Sequence, residues 1–249
     1  MSQSLQVHLL PDLVTPDEMS GATVVVIDVL RATTTIAFAL AAGAREVIPS
    51  ADVDEARRLA AELPGNETLL GGERGGVRIE GFDLGNSPSE YREAVVGGKC
   101  VVFTTTNGTR AMQHARGAAR LLLGAFVNLS AVTANLEGAE TVHLLCSGTQ
   151  GRITREDVLL AGAVVERLTG GEAASAWTIN DSARLAAAAW RDVAARLDDV
   201  PLAAQLADSQ GGRNVTRLGL AADIEAAAVV DKFDLVPRLD VETWRITSS

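Results

Sequence analysis

Residues 23–40, TVVVIDVLRATTTIAFAL, constrain the fold more than any other stretch. The first five form an apolar, β-branched run of the kind that makes a buried parallel strand, and the alanine- and leucine-rich second half is a helix former. Between them lies DVLRATTT, with Asp28 where the strand should end, Arg31 three residues on, and Thr33, Thr34 and Thr35 where helical N–H groups still lack partners. Ligands of open α/β sheets bind at the carboxyl ends of strands, where a helix N-terminus favours an anion. The junction therefore reads in two ways: as a metal or anion site, or as a helix start at which Asp28 and one threonine are only caps.

Further units of the same kind follow. Residues 6–10 read as a strand closed by Pro11, residues 46–48 as a strand ended by Pro49, and residues 52–63 as a helix with acidic residues in its first turn. Strands are also expected at 100–103, 121–124 and 141–145, with helices at 128–136, after the CSGTQGR loop, and at 180–197, where Asp181 stands as the cap. The polar Gly-Gly segment 209–214 precedes a shorter helix at 221–230, and the runs 235–239 and 241–246 would add edge strands. This alternation predicts an α/β fold, a layered α/β/α architecture with a largely parallel or mixed central sheet. With no clean linker or repeat, residues 1–249 should form a single α/β domain, with room for two intimately packed halves. A strand, threonine-rich loop and helix recur at Asp28 and at Thr104.

Composition narrows the function. Twenty-two Lys and Arg stand against 32 Asp and Glu, a net charge of −10, which argues against nucleic-acid or anionic-membrane partners. An anionic substrate would then need locally concentrated arginines or a divalent ion. Cys100 and Cys146 are too few for a disulfide framework or a four-ligand zinc site, and they suit a reducing compartment. Neither a signal peptide nor an apolar span is evident, so a cytoplasmic location is expected. Apolar helical faces would permit a homodimer, and equally one well-filled core.

The polar residues at strand ends and in glycine-rich loops include Asp28, Arg31, Glu73, Arg74, Asp83, Thr104, Thr105, Thr106, Asn107, Arg110, Glu156 and Asp157. Such oxygen ligands suit Mg2+, whereas His8, His114 and His143 have no zinc spacing. The run 69–90, LLGGERGGVRIEGFDLGNSPSE, is too glycine-rich for a helix and too charged for a plain core strand; it suits a ligand loop, or a mobile surface loop. Neither GERGG nor TNGTR completes a P-loop, and no Gly-x-Gly-x-x-Gly follows the first strand. The segment from Cys146 to Arg152 has the cysteine-to-arginine spacing of a cysteine-dependent phosphatase loop, which would make Cys146 a metal-independent nucleophile; it could also line a site or fill space beneath the sheet.

Taken together, DVLRATTT at 28–35, GERGG at 72–76, EGFDLGNSPSEY at 80–91, TTTNGTRA at 104–111 and REDVLLAG at 155–162 closely resemble the 2-phosphosulfolactate phosphatase family over nearly the whole chain. The resemblance implies an Mg2+-dependent α/β enzyme that hydrolyses 2-phospho-3-sulfolactate, a small polyanionic phosphoester, to 3-sulfolactate and inorganic phosphate. In methane-producing archaea that step belongs to coenzyme M biosynthesis. It also places Asp28, Arg31, Thr33, Thr34, Thr35, Glu73, Arg74, Asp83, Asn86, Thr105, Thr106, Asn107 and Arg110 in the site, with Cys146, Glu156 and Asp157 in its pattern. The C-terminal third matches less distinctly, through Gly219, Asp223 and Pro237. Within this set Asp28 and Glu73 are expected to bind the metal and Asp157 to act as the acid–base group; Arg31 would stabilise the anion, and the threonines, asparagines and remaining arginines would hold the substrate. An anionic-metabolite-binding protein without catalysis is the reading from another functional class.

Overall fold

The computed structural model describes residues 3–170 and 176–248. In chain order its regular elements are β1 (Gln3–His8), β2 (Thr23–Ile27), α1 (Ala32–Ala41), β3 (Glu46–Pro49), α2 (Val53–Ala61), β4 (Thr68–Arg74) and β5 (Val77–Arg78). There follow α3 (Glu93–Val96), β6 (Cys100–Thr104), α4 (Gly108–His114), β7 (Arg120–Gly124), α5 (Leu129–Leu136), β8 (Thr141–Cys146) and α6 (Arg155–Thr169). The last third carries β9 (Trp177–Ile179), α7 (Asp181–Ala194), α8 (Leu202–Ala207), α9 (Gln210–Arg217), α10 (Ala221–Ala227), β10 (Pro237–Asp240) and β11 (Arg245–Ser248).

The strands form one 11-stranded sheet in the order β5-β4-β6-β3-β11-β10-β7-β2-β8-β1-β9. Two parallel blocks, β4-β6-β3 and β7-β2-β8-β1-β9, are joined through the β10–β11 hairpin. All three pairings across that join are antiparallel, so the two blocks run in opposite senses. The C-terminal strands are thus interior seams rather than the expected edge strands. Their sequence explains it: Leu239 pairs with Leu121 and Ile246 with Val47, which places both apolar side chains in the core between the blocks.

Alternation along the strands assigns the layers, since successive residues face opposite sides of a sheet. Val24 and Val26 join the core that holds Ile36 and Leu40 of α1 and Met112 of α4, while Val25 and Ile27 face Leu159 and Val164 of α6 and Ala183 and Ala186 of α7. Val101 and Phe103 turn towards α1, and Cys100 and Val102 pack with Ala56 of α2. Helices cover both faces, which is the α/β/α layering expected. Helix α1 is buried on nearly every side, which its ATTTIAFALA sequence permits because it carries no charge. Among the described residues no helix is long and apolar enough to cross a membrane.

Several boundaries differ from the sequence expectation. The first strand is Gln3–His8, not residues 6–10, because the chain turns at Leu9 and Leu10 into a short 3-10 turn at Pro11–Leu13. The glycine-rich run contains β4, which pairs parallel with β6; its charges, Glu73 and Arg74, sit only where the strand emerges from the sheet. The cap of α7 is Asn180, not Asp181. Its Oδ1 accepts from the amides of Ala183 at 2.9 Å and Val7 at 3.1 Å while its Nδ2 donates to the Val7 carbonyl at 3.0 Å, a pairing that needs an amide rather than a carboxylate. Finally, the polar Gly-Gly segment is the first part of a helix, α9, in residues 210–214. Ser209 caps α9 by accepting from the Gly212 amide at 2.9 Å.

Candidate active site

One cleft of about 620 Å3 gathers residues from six separated parts of the chain, Asn86 being the sixth beside those that follow. Asp28 and Arg31 come from the turn after β2, Glu73 and Gly76 from the β4–β5 hairpin, and Thr105, Thr106 and Asn107 from the loop after β6. Gln150 and Arg152 come from the loop after β8, and Gln210, Asn214 and Arg217 from α9. Although the two sheet blocks run in opposite senses, the carboxyl ends of β2, β4, β6 and β8 all open here. A second cavity of about 450 Å3, beside Trp244 and Arg116, holds none of the residues expected to do chemistry.

The floor is acidic. Asp28 lies buried at the strand end, its Oδ1 accepting from the Ala32 amide at 3.2 Å, with no donor on Oδ2 among the described residues. Burial pushes its carboxyl up to about 7, helped by Glu73 and Glu156 and opposed by the Ala32 amide and Arg31. Glu73 is buried as well, but both its oxygens are engaged: Oε1 accepts from the Thr106 amide at 2.7 Å and Oε2 from the Gly76 amide at 2.6 Å. It ties the hairpin to the β6 loop across the cleft. Glu156 of α6 lies beneath Gly211, where a side chain would collide with its Oε1; its Oε2 is buried with no partner among the described residues, and burial raises its pKa. Asn86 also lines the cleft, and its buried Oδ1 has no partner among the described residues.

Positive charge is arranged at two levels. Arg31 is buried and fixed, its Nη1 donating to Asp223 Oδ2 at 2.7 Å and its Nη2 to the Gly76 carbonyl at 2.8 Å. Arg152 and Arg217 are exposed, line the cleft, and have no ion-pair partner among the described residues.

Other residues expected in the site serve its frame and do not line it. The hydroxyls of Thr33, Thr34 and Thr35 donate to the carbonyls of Asp28, Val29 and Asn86 at 2.9, 2.8 and 3.0 Å, so they hold the turn rather than face a ligand. Arg74 donates to the Glu73 carbonyl and to Thr104 Oγ1. Arg110 is exposed and paired with Asp12 at 3.1 Å, and Asp83 accepts from the Leu70 amide at 2.8 Å. Asp157 accepts from the amides of Val29 at 2.9 Å and Gly148 at 3.0 Å and from the Thr154 hydroxyl at 3.2 Å, which clips two site loops together from below. Cys146 is fully buried in the apolar core, and burial, with Asp157 and Glu156 nearby, holds its thiol well above the ordinary range. Its side chain packs in that core and does not line the cleft.

Sequence reasoning missed Gln210, Asn214 and Arg217. The available signal was Ser209 followed by Gly211, Gly212 and Val215, which are a cap and the buried face of a helix.

The profile of the 2-phosphosulpholactate phosphatase family matches residues 8–242. A relative from Symbiobacterium thermophilum, named probable 2-phosphosulfolactate phosphatase, is 40% identical over 222 residues, covering 89% of this chain and 92% of its own. Relatives with the same name from Caldanaerobacter subterraneus and Prochlorococcus marinus are 38% identical over 224 residues and 40% identical over 232, covering 89% and 92% of this chain and 89% and 93% of theirs. With its layered α/β fold and this match along nearly its full length, the chain belongs to the 2-phosphosulpholactate phosphatase family.

Proposed function

We propose that this chain hydrolyses 2-phospho-3-sulfolactate, or a closely related small 2-phospho acid, to the 2-hydroxy acid and inorganic phosphate, using Mg2+ in the reducing environment of the cytoplasm. Family membership supplies the reaction class. The observation that carries the rest is the division of one cleft into an acidic floor and a basic wall, which suits a polyanion brought in with a cation.

The donor chemistry of the floor fits Mg2+. Asp28, Glu73, Glu156 and Asp157 act on one another electrostatically, and Arg31 is the cation that opposes them at Asp28. Among the described residues no three His, Cys, Asp or Glu side chains are arranged to hold a metal. Magnesium needs only one or two carboxylates when substrate oxygens and water complete its octahedron. Asp28, with its uncommitted Oδ2, would hold the ion, and Glu73 would stand behind it using the remaining lone pairs of its oxygens. Bound there, Mg2+ would offset phosphoryl charge and lower the pKa of a water molecule.

The protein's own groups would do the rest. Arg31 aims its uncommitted donors at phosphate oxygens, the charge-assisted contact that stabilises phosphoryl transfer. Thr105, Thr106 and Asn107 supply neutral polar contacts, and Arg152 and Arg217 meet the carboxylate and sulfonate.

The test is phosphate release from 2-phospho-3-sulfolactate and from 2-phospholactate, each with Mg2+ and with EDTA. The expected result is Mg2+-dependent release, abolished by EDTA and faster for the sulfonated compound. Release unaffected by EDTA would end the metal assignment. Protection from thermal unfolding by the phosphoesters without release would make the protein a binder instead.

A further inference from the structure

A buried contact without a role so far is made by Asp223, in the first turn of α10, far from the site motifs in sequence. It is buried, with 2% of its surface exposed, and both its oxygens are used. Oδ2 accepts from Arg31 Nη1 at 2.7 Å and Oδ1 from Ser87 Oγ at 2.6 Å. Ser87 follows Asn86, which lines the cleft and whose carbonyl accepts from Thr35. One carboxylate therefore joins the guanidinium of one cleft wall to the loop that forms another.

From this geometry we infer that Asp223 is the positioning residue for Arg31, setting the direction in which the guanidinium presents itself to an anion. Of the five N–H donors of an arginine, Arg31 commits one to Asp223 and one to the Gly76 carbonyl, and among the described residues three have no acceptor. A buried guanidinium facing several carboxylates could otherwise turn towards Asp28. With Asp223 and Gly76 holding two corners, the free edge stays fixed. Such preorganisation matters most in the transition state, when charge on the transferring group is redistributed. Asp223 itself does not line the cleft, so it acts through Arg31 and touches no substrate.

The inference rests on the phosphatase reading for its kinetic test and on anion binding alone for a second one. In phosphate-release assays, each run at a fixed interval below the variant's own melting temperature, Asp223→Asn should lower kcat about tenfold and Asp223→Ala about 10²-fold, with KM changed less than kcat. Ser87→Ala, which leaves the ion pair in place, should lower kcat less than threefold. The deciding measurement is a double-mutant cycle. In an Arg31→Met background, Asp223→Asn should cost less than a further twofold, because a residue that acts only through Arg31 has nothing left to position. Multiplying losses, or a kcat for Asp223→Asn equal to wild type, would overturn the inference and leave the phosphatase reading standing. The same cycle run on the affinity for inorganic phosphate gives an answer that does not depend on turnover. A wild type that releases no phosphate but shows the non-additive cycle in phosphate binding would sink the phosphatase reading and keep Asp223 as the positioning residue. An additive cycle there would remove it.

Discussion

The turn after β2 and the turn after β6 are built with the same clip but carry different heads. In the first, the Thr33 hydroxyl donates to the Asp28 carbonyl at 2.9 Å and accepts from the Asp28 amide at 3.2 Å; in the second, the Thr109 hydroxyl donates to the Thr105 carbonyl at 2.8 Å and accepts from the Thr105 amide at 3.4 Å. The head side chain then caps the helix that follows. Asp28 Oδ1 accepts from the Ala32 amide at 3.2 Å, and Thr105 Oγ1 from the Thr109 amide at 3.3 Å. One head is a buried acid and the other a neutral hydroxyl, so closely similar scaffolding, with the clip one residue longer in the first turn, delivers charge to one side of the cleft and hydrogen bonds to the other. The turns also touch. A Cβ on Gly108, the first residue of α4, would lie 2.6 Å from the Ala32 Cβ and 2.8 Å from Asp28 Oδ2. Two ordinary strand–turn–helix units thus become a site by being pressed together at a glycine.

Removing the charge from the first head should have the largest effect. Asp28→Asn is expected to lower kcat/KM about 10³-fold, equivalent to about 4 kcal/mol, and to abolish the response to Mg2+ titration. The same variant should be more heat-stable than the wild type above neutral pH. The folded Asp28 carboxyl titrates at about 7 against an ordinary 3.8, so between those values the folded state holds a proton that the unfolded chain releases. Stability contributed by this group therefore falls as pH rises through that window. The gain in melting temperature for Asp28→Asn should be full above pH 7 and vanish towards pH 4, when measured without Mg2+. Added Mg2+ should raise the wild-type melting temperature and leave that of the variant unchanged.

Separating the turns comes next. Gly108→Ala forces a methyl group between Ala32 and Asp28, and a displacement approaching 1 Å at the Asp28 carboxylate would cost about 10²-fold in kcat/KM. Below it lie the two clips. Thr33→Val and Thr109→Val each strand buried main-chain groups and should each destabilise by about 1–3 kcal/mol, read from denaturant midpoints. Their activities should differ: losing the clip under Asp28 ought to cost several-fold more turnover than losing the one under Thr105. Equal losses would mean that the charge on the first head does not need its exact seat.

The sequence displayed the turns well and the partners of the turns poorly. Strands such as Thr23–Ile27 and Cys100–Thr104 are legible because full burial demands unbroken apolar runs, and their loops stand out as the only polar interruptions. What each polar side chain does there depends on contacts across the fold. Thr35 and Thr106 sit in similar threonine runs, yet the first is spent on the Asn86 carbonyl and the second lines the cleft. Arg110 lies within a motif and points to Asp12, whereas Arg217 lies in none and reaches the cleft because α9 packs across Glu156. Sheet order was hidden for the same reason. Val47, Leu121, Leu239 and Ile246 look like any apolar strand residues until a register pairs them, and that pairing sets a C-terminal hairpin between two blocks that the chain completed earlier.

The smallest effect on turnover is expected from Cys146→Ser, and it sharpens the comparison by asking whether a third strand end takes part. Cys146 ends β8 as Ile27 ends β2, and the two are register partners. Its side chain, however, faces the apolar core with Leu159 and Leu160 of α6, and the chain passes through Ser147 before reaching the cleft residues Thr149 and Gln150. A serine hydroxyl placed there finds no ready acceptor, so a stability cost of about 1–3 kcal/mol should appear as a lower melting temperature. Turnover measured well below that temperature should stay within about twofold of wild type, because nothing that touches the substrate has moved. A loss beyond about 10²-fold with an unchanged melting temperature would reverse this assignment, since only a sulfur that attacks phosphorus would be missed so selectively.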